Sequence, residues 1–143
     1  MSNDYKYVSV ALLLLPLLLG QSDSHRAAEF RVGTVTNCPD ALEMPSYPPL
    51  AWAARIVGRG TAAITLDTNG IEAVKVAGLH PLLVAEVTQS IRHSKFGSCG
   101  RRELTLAYDF VIEGDEAPSR ITRIIVLSGN HFVIKVNPPR AME

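Results

Sequence analysis

The clearest pattern along the chain is an alternation of large apolar residues with smaller or polar ones between Glu103 and Glu113. Successive side chains of a β-strand point to opposite faces of a sheet, so this alternation predicts a half-buried strand. The face expected to be buried carries Leu104, Leu106, Tyr108, Phe110 and Ile112. The outward face carries Thr105, Ala107, Asp109 and Val111.

Two further segments of the chain predict β-hairpins. Residues 60–66 and 71–77 contain β-branched residues and flank a turn sequence that ends in Asn69-Gly70. Asn-Gly is a strong hairpin signal because both residues tolerate positive φ. The alternation within residues 71–77 is imperfect and does not decide which face is buried. Residues 120–127 and 131–136 predict a second, C-terminal hairpin.

Two segments predict helices. Residues 45–55 open with prolines, which suit the first turn of a helix, and continue with alanines. Residues 81–94 carry an apolar stripe formed by Leu83, Val84, Val87 and Ile91. Residues 25–44 show little periodicity and are interpreted as a linker with one short strand at 30–35. Together these elements predict an α+β fold, in which a small antiparallel sheet and two helices precede a C-terminal β-hairpin.

An apolar run at residues 8–19 is broken only by Ser9 and Pro16. Lys6 precedes the run and a short polar stretch follows it, which is the order of an export signal. A membrane-spanning helix needs about 20 apolar residues, so a signal peptide over residues 1–24 is favoured over a short, uncleaved membrane anchor. Under both interpretations the rest of the chain is expected outside the cytoplasm, with membrane contact only through this segment.

Composition and charge narrow the class of protein. The chain has 143 residues, of which 47% are hydrophobic and 20% charged, and this suits one folded domain. Its 14 basic and 14 acidic residues give a formal net charge of zero. Proteins that bind a phosphate backbone carry a positive excess, so nucleic acid is not expected as a partner.

Export also changes the interpretation of the two cysteines. In an oxidising compartment, Cys38 and Cys99 are candidates for a single disulfide. Closing a loop of that length stabilises a fold by roughly 4 kcal/mol in the chain-entropy model. The alternatives are two free thiols, or a catalytic or metal-binding role. Neither cysteine belongs to a C-x-x-C pair, and the four histidines lack zinc-ligand spacing.

No motif points to catalysis, a metal or a cofactor. The chain has no G-x-S-x-G sequence for a serine nucleophile. Asp67 begins a segment similar to a calcium-binding loop, but Gly78 stands at the twelfth position, where such a loop needs a glutamate. A turn is therefore the expected role of Asp67. Tyr47 and Trp52 are expected to pack against the sheet rather than to form an exposed aromatic contact.

Several short motifs follow one another between residues 45 and 113. A P-x-Y-P-x-x-A sequence comes first, formed by Pro45, Tyr47, Pro48 and Ala51. An Arg-Ile pair, a glycine and then an Asp-x-x-Gly turn follow, at Arg55, Ile56, Gly58, Asp67 and Gly70. A basic residue and a phenylalanine, Lys95 and Phe96, come after the second predicted helix. In order and spacing, this region resembles the C-terminal domain of the TonB family.

The resemblance implies a periplasmic protein–protein interaction module rather than an enzyme, with no cofactor. In that family the domain engages outer-membrane TonB-dependent receptors, and an extended receptor segment pairs with the last strand by β-augmentation. The matching edge here is residues 104–112, with Thr105, Ala107, Asp109 and Val111 as partner-binding side chains. A solvated sheet face is the alternative interpretation of the same four residues. A second hypothesis is an envelope-assembly domain that forms a homodimer through a sheet edge.

Three features distinguish the chain from a complete energy transducer of that family. The segment that would be its membrane helix is predicted to be a cleavable signal. Residues 25–44, between the predicted signal and the domain at 45–115, are not Pro-rich and reach only ~70 Å when fully extended. The hairpin and tail at 116–143 follow the expected receiving strand directly. Sequential strands usually pair, so this hairpin is expected to cover that edge. We therefore expect the fold without the energy coupling.

Overall fold

The computed structural model describes residues 41–97 and 99–141, together with the two-residue strand Glu29–Phe30. The predicted signal segment at residues 1–24 and most of the predicted linker strand at residues 30–35 lie outside the described residues. Cys38 also lies outside them.

Seven strands and two helices follow one another along the described chain. They are β1 (Glu29–Phe30), β2 (Leu42–Glu43), α1 (Pro49–Ala53), β3 (Gly58–Asp67), β4 (Gly70–Ala77), α2 (Pro81–His93), β5 (Arg102–Ile112), β6 (Arg123–Ser128) and β7 (His131–Val136). β1 and β2 pair antiparallel as a separate two-stranded sheet.

Local sequence explains where the helices and the first hairpin begin and end. Pro49 and Pro81 occupy the first positions of α1 and α2, where a missing N–H costs no hydrogen bond. The N-cap of α2 is His80, whose Nδ1 accepts the N–H of Leu82 at 3.2 Å. Between β3 and β4, the Asp67 carboxylate accepts the N–H of Asn69 at 2.7 Å, which confirms the predicted turn.

The remaining strands form one mixed, five-stranded sheet in the order β4-β3-β5-β7-β6. β3 pairs antiparallel with both β4 and β5, and β6 pairs antiparallel with β7. β5 and β7 run parallel, with Ala107 opposite His131 and Ile112 opposite Val136. The predicted α+β class is therefore confirmed. β3, β4 and β5 form the expected antiparallel sheet, and the C-terminal pair β6–β7 joins it through a parallel pairing that the sequence did not predict.

The parallel pair arises because β7, rather than β6, lies beside β5. β7 alternates cleanly and buries one face, formed by Phe132, Ile134 and Val136. β6 contains four consecutive apolar residues and has no such alternation. The strand with one fully apolar face gains most from lying over the core, so β7 takes the inner position and β6 the outer one.

The hydrophobic core lies on one face of the sheet, where α2 buries Leu83, Val87 and Ile91 of the predicted stripe, while Val84 stays partly exposed. Tyr47 is fully buried in the same cluster and meets Phe110 edge-on, with ring centroids 5.4 Å apart, so its predicted packing is confirmed. The opposite face, which we call the open face, carries the odd-numbered residues of β3, β5 and β7. These alternate with the buried residues along each strand.

Hydrogen bonds also tie the C-terminal segment to the region around α1. The Tyr47 N–H donates to Thr122 Oγ1 at 3.1 Å, just before β6. The indole N–H of Trp52 donates to the Asn137 carbonyl at 2.6 Å, just after β7. Together with the buried face of β7, these bonds place β6 and β7 in the same folded unit as β3, β4 and β5.

Candidate binding edges and the open sheet face

β5, the strand expected to receive a partner, lies inside the sheet. β3 pairs with it from Arg102 to Phe110, and β7 pairs with its other side from Ala107 to Ile112. The loop before β7 extends this cover, because the Asn130 carbonyl accepts the Ala107 N–H at 2.8 Å. From Ala107 to Phe110, β5 therefore has a strand on both sides.

The four predicted partner-binding residues lie in a row on the open face. Thr105 is exposed, Ala107 and Val111 are half-buried, and Asp109 is only 7% exposed. Their outward orientation matches the sequence pattern, since the alternating residues of β5 enter the core. A role for these four side chains in binding stays a prediction.

Asp109 lies at the centre of a polar cluster on this face. Its Oδ1 accepts the Arg59 Nε–H at 2.8 Å, and its Oδ2 lies 3.2 Å from His131 Nε2. Burial alone would raise the pKa of Asp109, but these two hydrogen bonds and the nearby positive charges lower it below its usual value. The cluster joins three adjacent strands, β3, β5 and β7.

Sequence reasoning missed this cluster because its members are far apart in the chain. Arg59 and Asp109 become direct neighbours through the β3–β5 register, and His131 arrives with the parallel strand. The one available signal was an aspartate in the middle of a strand, where aspartate is normally depleted.

The two outer strands of the sheet differ in what they expose. On β4, the large apolar residues Ile71, Val74 and Val76 are partly buried against the core. The exposed residues of that strand are Glu72, Ala73, Lys75 and Ala77. Charged side chains on an edge strand discourage pairing with another chain, so β4 is a protected edge.

β6 exposes apolar residues instead. Ile125 is 44% exposed, Val126 37% and Leu127 58%, and Arg123 is the single charged residue of the strand. Among the described residues β6 pairs only with β7, so the backbone groups of its outer side lack a strand partner. An exposed apolar edge strand is a template for pairing with another extended chain.

No disulfide, metal site or membrane-spanning helix defines a functional site among the described residues. Cys99 is buried in the core cluster, while Cys38 lies outside the described residues, so the predicted disulfide stays a prediction. Within the described ranges, no group of three or more His, Cys, Asp or Glu side chains is placed to hold a metal ion. None of the helices described here is long and apolar enough to cross a membrane.

The chain matches no protein-family model, no curated protein and no solved structure.

Proposed function

We propose that this chain is an exported protein–protein interaction domain that binds extended segments of partner proteins by β-strand addition. The observation that carries the proposal is β6, an outer strand with exposed apolar side chains and an unpaired outer side within the described part of the chain. Added strands gain affinity from backbone hydrogen bonds and selectivity from alternate side chains. The function needs no cofactor and no catalytic group.

The receiving strand in this proposal is β6 rather than β5. β7 pairs with β5 from Ala107 to Ile112, so an added strand there would first have to displace β7. That displacement would expose Phe132, Ile134 and Val136, which are buried in the core. Addition at β6 keeps all five strands in place and extends the sheet by one.

The resemblance to the TonB C-terminal domain supplies the class of partner. Under this proposal, the bound segments belong to outer-membrane TonB-dependent receptors, and binding takes place in the periplasm. The predicted export signal supports that location, and in an oxidising compartment Cys38 and Cys99 are expected to form a disulfide. Protein isolated from the periplasm without reductant should then resist thiol alkylation, and labelling of both cysteines would contradict the bridge.

The proposed binding is tested with the full chain and peptides from the N-terminal segments of such receptors. Ile125→Lys places a charge on the exposed apolar edge, and Ala73→Lys is the matched control. Both residues are exposed, and register places both on the open face of an outer strand. Titration calorimetry should show saturable binding to the wild type and the control, and binding about tenfold weaker or undetectable for Ile125→Lys. Equal binding by all three proteins would contradict the proposal.

A second candidate is self-association through the same edge, as in an envelope-assembly domain without energy coupling. The exposed apolar residues of β6 favour it as much as they favour a peptide. Sedimentation over a range of protein concentrations separates the two functions. A dimer that forms in the wild type and in Ala73→Lys, but not in Ile125→Lys, would support self-association.

A further inference from the structure

Arg123 is the one charged residue of β6, and the strand itself contains no acidic residue that could balance it. It is exposed and belongs to none of the ion pairs formed among the described residues. Its cross-strand neighbour on β7 is Lys135, a second cation. Lys135 is already paired, because its Nζ lies 3.1 Å from Glu113 Oε2. Two like charges on adjacent strands repel each other, so Arg123 gains from an anion on its other, outer side.

The register of β6 and β7 shows which side chains share a face with Arg123. Arg123 lies opposite Lys135 and Ile125 lies opposite Val133, and both residues of β7 belong to the open face. Ile124 and Val126 lie opposite the buried residues Ile134 and Phe132. An added strand would therefore meet a cation and then an apolar side chain, two positions apart, on the open face.

We propose that the segment bound at β6 is an acidic–apolar one that runs antiparallel to β6. Its acidic residue lies opposite Arg123, and an apolar residue two positions earlier in the segment lies opposite Ile125. Antiparallel pairing is slightly more stable per residue than parallel pairing. β6 already pairs antiparallel with β7, so an antiparallel partner would give β6 the same type of pairing on both sides. This inference rests on the proposed strand addition and specifies its partner.

A second copy of this chain fits the edge less well than such a segment. β6 contains no acidic residue, so pairing with a second β6 leaves Arg123 unbalanced in both subunits. Cross-strand pairs of opposite charge stabilise a sheet, whereas a cation beside apolar side chains loses hydration without compensation. Charge complementarity therefore selects a heterologous, acidic segment.

Two blocked peptides test this inference against the full chain. One has the sequence Thr-Val-Thr-Val-Thr-Glu-Thr, and the other carries lysine in place of the glutamate. In antiparallel register, the central valine faces Ile125 when the charged residue faces Arg123. We expect the glutamate peptide to bind the wild type about threefold to tenfold more tightly at low salt, and the difference to shrink at high salt.

Two charge-reversal variants, one on β6 and one on β4, test whether the cation on β6 causes the preference for the glutamate peptide. Arg123→Glu should reverse the preference, so that the lysine peptide becomes the tighter ligand. Lys75→Glu makes the same change of charge on β4, where Lys75 is also exposed and on the open face, and should leave the preference as in the wild type.

The possible failures are distinguishable. If neither peptide binds, strand addition at β6 is wrong, and the acidic preference falls with it. If both peptides bind equally well, or if Arg123→Glu keeps the wild-type preference, strand addition survives and the acidic partner is wrong. A reversed peptide, Thr-Glu-Thr-Val-Thr-Val-Thr, that binds as tightly as the first would overturn the antiparallel direction.

Discussion

β4 and β6 are the two outer strands of one sheet, yet they expose opposite kinds of side chain. β4 turns its large apolar residues toward the core and exposes Glu72 and Lys75. β6 exposes Ile125, Val126 and Leu127 and carries a single charge at its start. Because both edges belong to the same sheet, the need to fold does not by itself explain the difference.

The contrast points to a use for the β6 edge. An unprotected edge exposes a protein to unwanted association, and a charged residue at position 125 would remove that hazard. The fold shows on β4 that such protection is available. We infer that β6 is left apolar because a partner strand covers it.

The largest effect on the free energy of unfolding is expected from truncating a buried side chain of β7, the strand that pairs with β6. Phe132 is fully buried on β7, so Phe132→Ala should lower the free energy of unfolding by about 3–5 kcal/mol. Val74→Ala is the counterpart beneath β4, where the side chain is only partly buried, and should cost about 1 kcal/mol. Urea denaturation measures both. Equal costs would show that the C-terminal strands lie outside the core.

A second comparison concerns two buried tyrosines, Tyr47 and Tyr108. The backbone N–H of Tyr47 is bonded to Thr122, the residue before β6. The Tyr47 hydroxyl donates to the Ile56 carbonyl, whereas the Tyr108 hydroxyl has no hydrogen-bond partner within the described part of the chain. Tyr47→Phe should therefore cost about 1–2 kcal/mol, and Tyr108→Phe should be neutral or stabilise by about 1 kcal/mol. Denaturation of both variants checks this, and an equal loss in both would contradict it.

The same tyrosines predict alkaline sensitivity. Burial raises the pKa of Tyr47 from 10.0 to about 12 and raises the pKa of Tyr108 as well. A group whose pKa is higher in the folded chain contributes stability below its unfolded pKa, and that contribution is lost as the pH rises through the folded value. Stability should fall above about pH 10, and less steeply in Tyr108→Phe. If the stability of Tyr108→Phe falls with rising pH as steeply as that of the wild type, ionisation of Tyr108 does not cause the alkaline loss.

A smaller effect on stability is expected from removing the charge of Asp109, which lies on the open face between the two outer strands. Because the pKa of Asp109 is lowered from its ordinary 3.8, its carboxylate stabilises the fold above that pH, and the contribution is lost as the pH falls through the lowered value. Asp109→Asn should cost about 1 kcal/mol at neutral pH, since exposed Arg59 and water screen the pair. The variant should also lose less stability in acid than the wild type.

Denaturation between about pH 2 and pH 7 tests this prediction, with Glu72→Gln on β4 as the control. Glu72 is exposed and forms none of the ion pairs found among the described residues, so its variant should follow the wild type. If the free energy of unfolding of Asp109→Asn falls with decreasing pH as steeply as that of the wild type, the Asp109 carboxylate does not stabilise the fold.

The smallest effect on stability is expected at the edges themselves. Ile125→Lys and Ala73→Lys should each change the free energy of unfolding by less than about 0.5 kcal/mol, because both side chains are exposed. The same denaturation measurement checks this. A loss above about 2 kcal/mol in Ile125→Lys would show that Ile125 serves the fold rather than a partner.

Local pattern predicted most of the elements but not their arrangement. Strict alternation located β5, Asn69-Gly70 located the turn after β3, and the apolar stripe located α2. These signals act within one element, so one sequence suffices to read them. The parallel pairing of β5 with β7 depends on a comparison of two distant strands, which no local pattern contains.

The candidate site was harder to predict for the same reason. The resemblance placed binding on β5, and the position of the C-terminal hairpin directly after that strand led us to expect that the hairpin would cover it. That expectation did not reveal which strand becomes the new edge. The exposed side chains of β6 and the cluster around Asp109 follow only once the strand order is known.

Amide hydrogen exchange with and without a saturating receptor peptide tests the central claim most directly. Strand addition must protect backbone N–H groups on the outer side of the receiving strand, whatever the side chains contribute. We predict that protection increases for the amides within Arg123–Ser128 that face away from β7, and stays unchanged for Gly70–Ala77. Protection that appears on β4 instead, or saturable binding that leaves the β6 amides unchanged, would contradict the account.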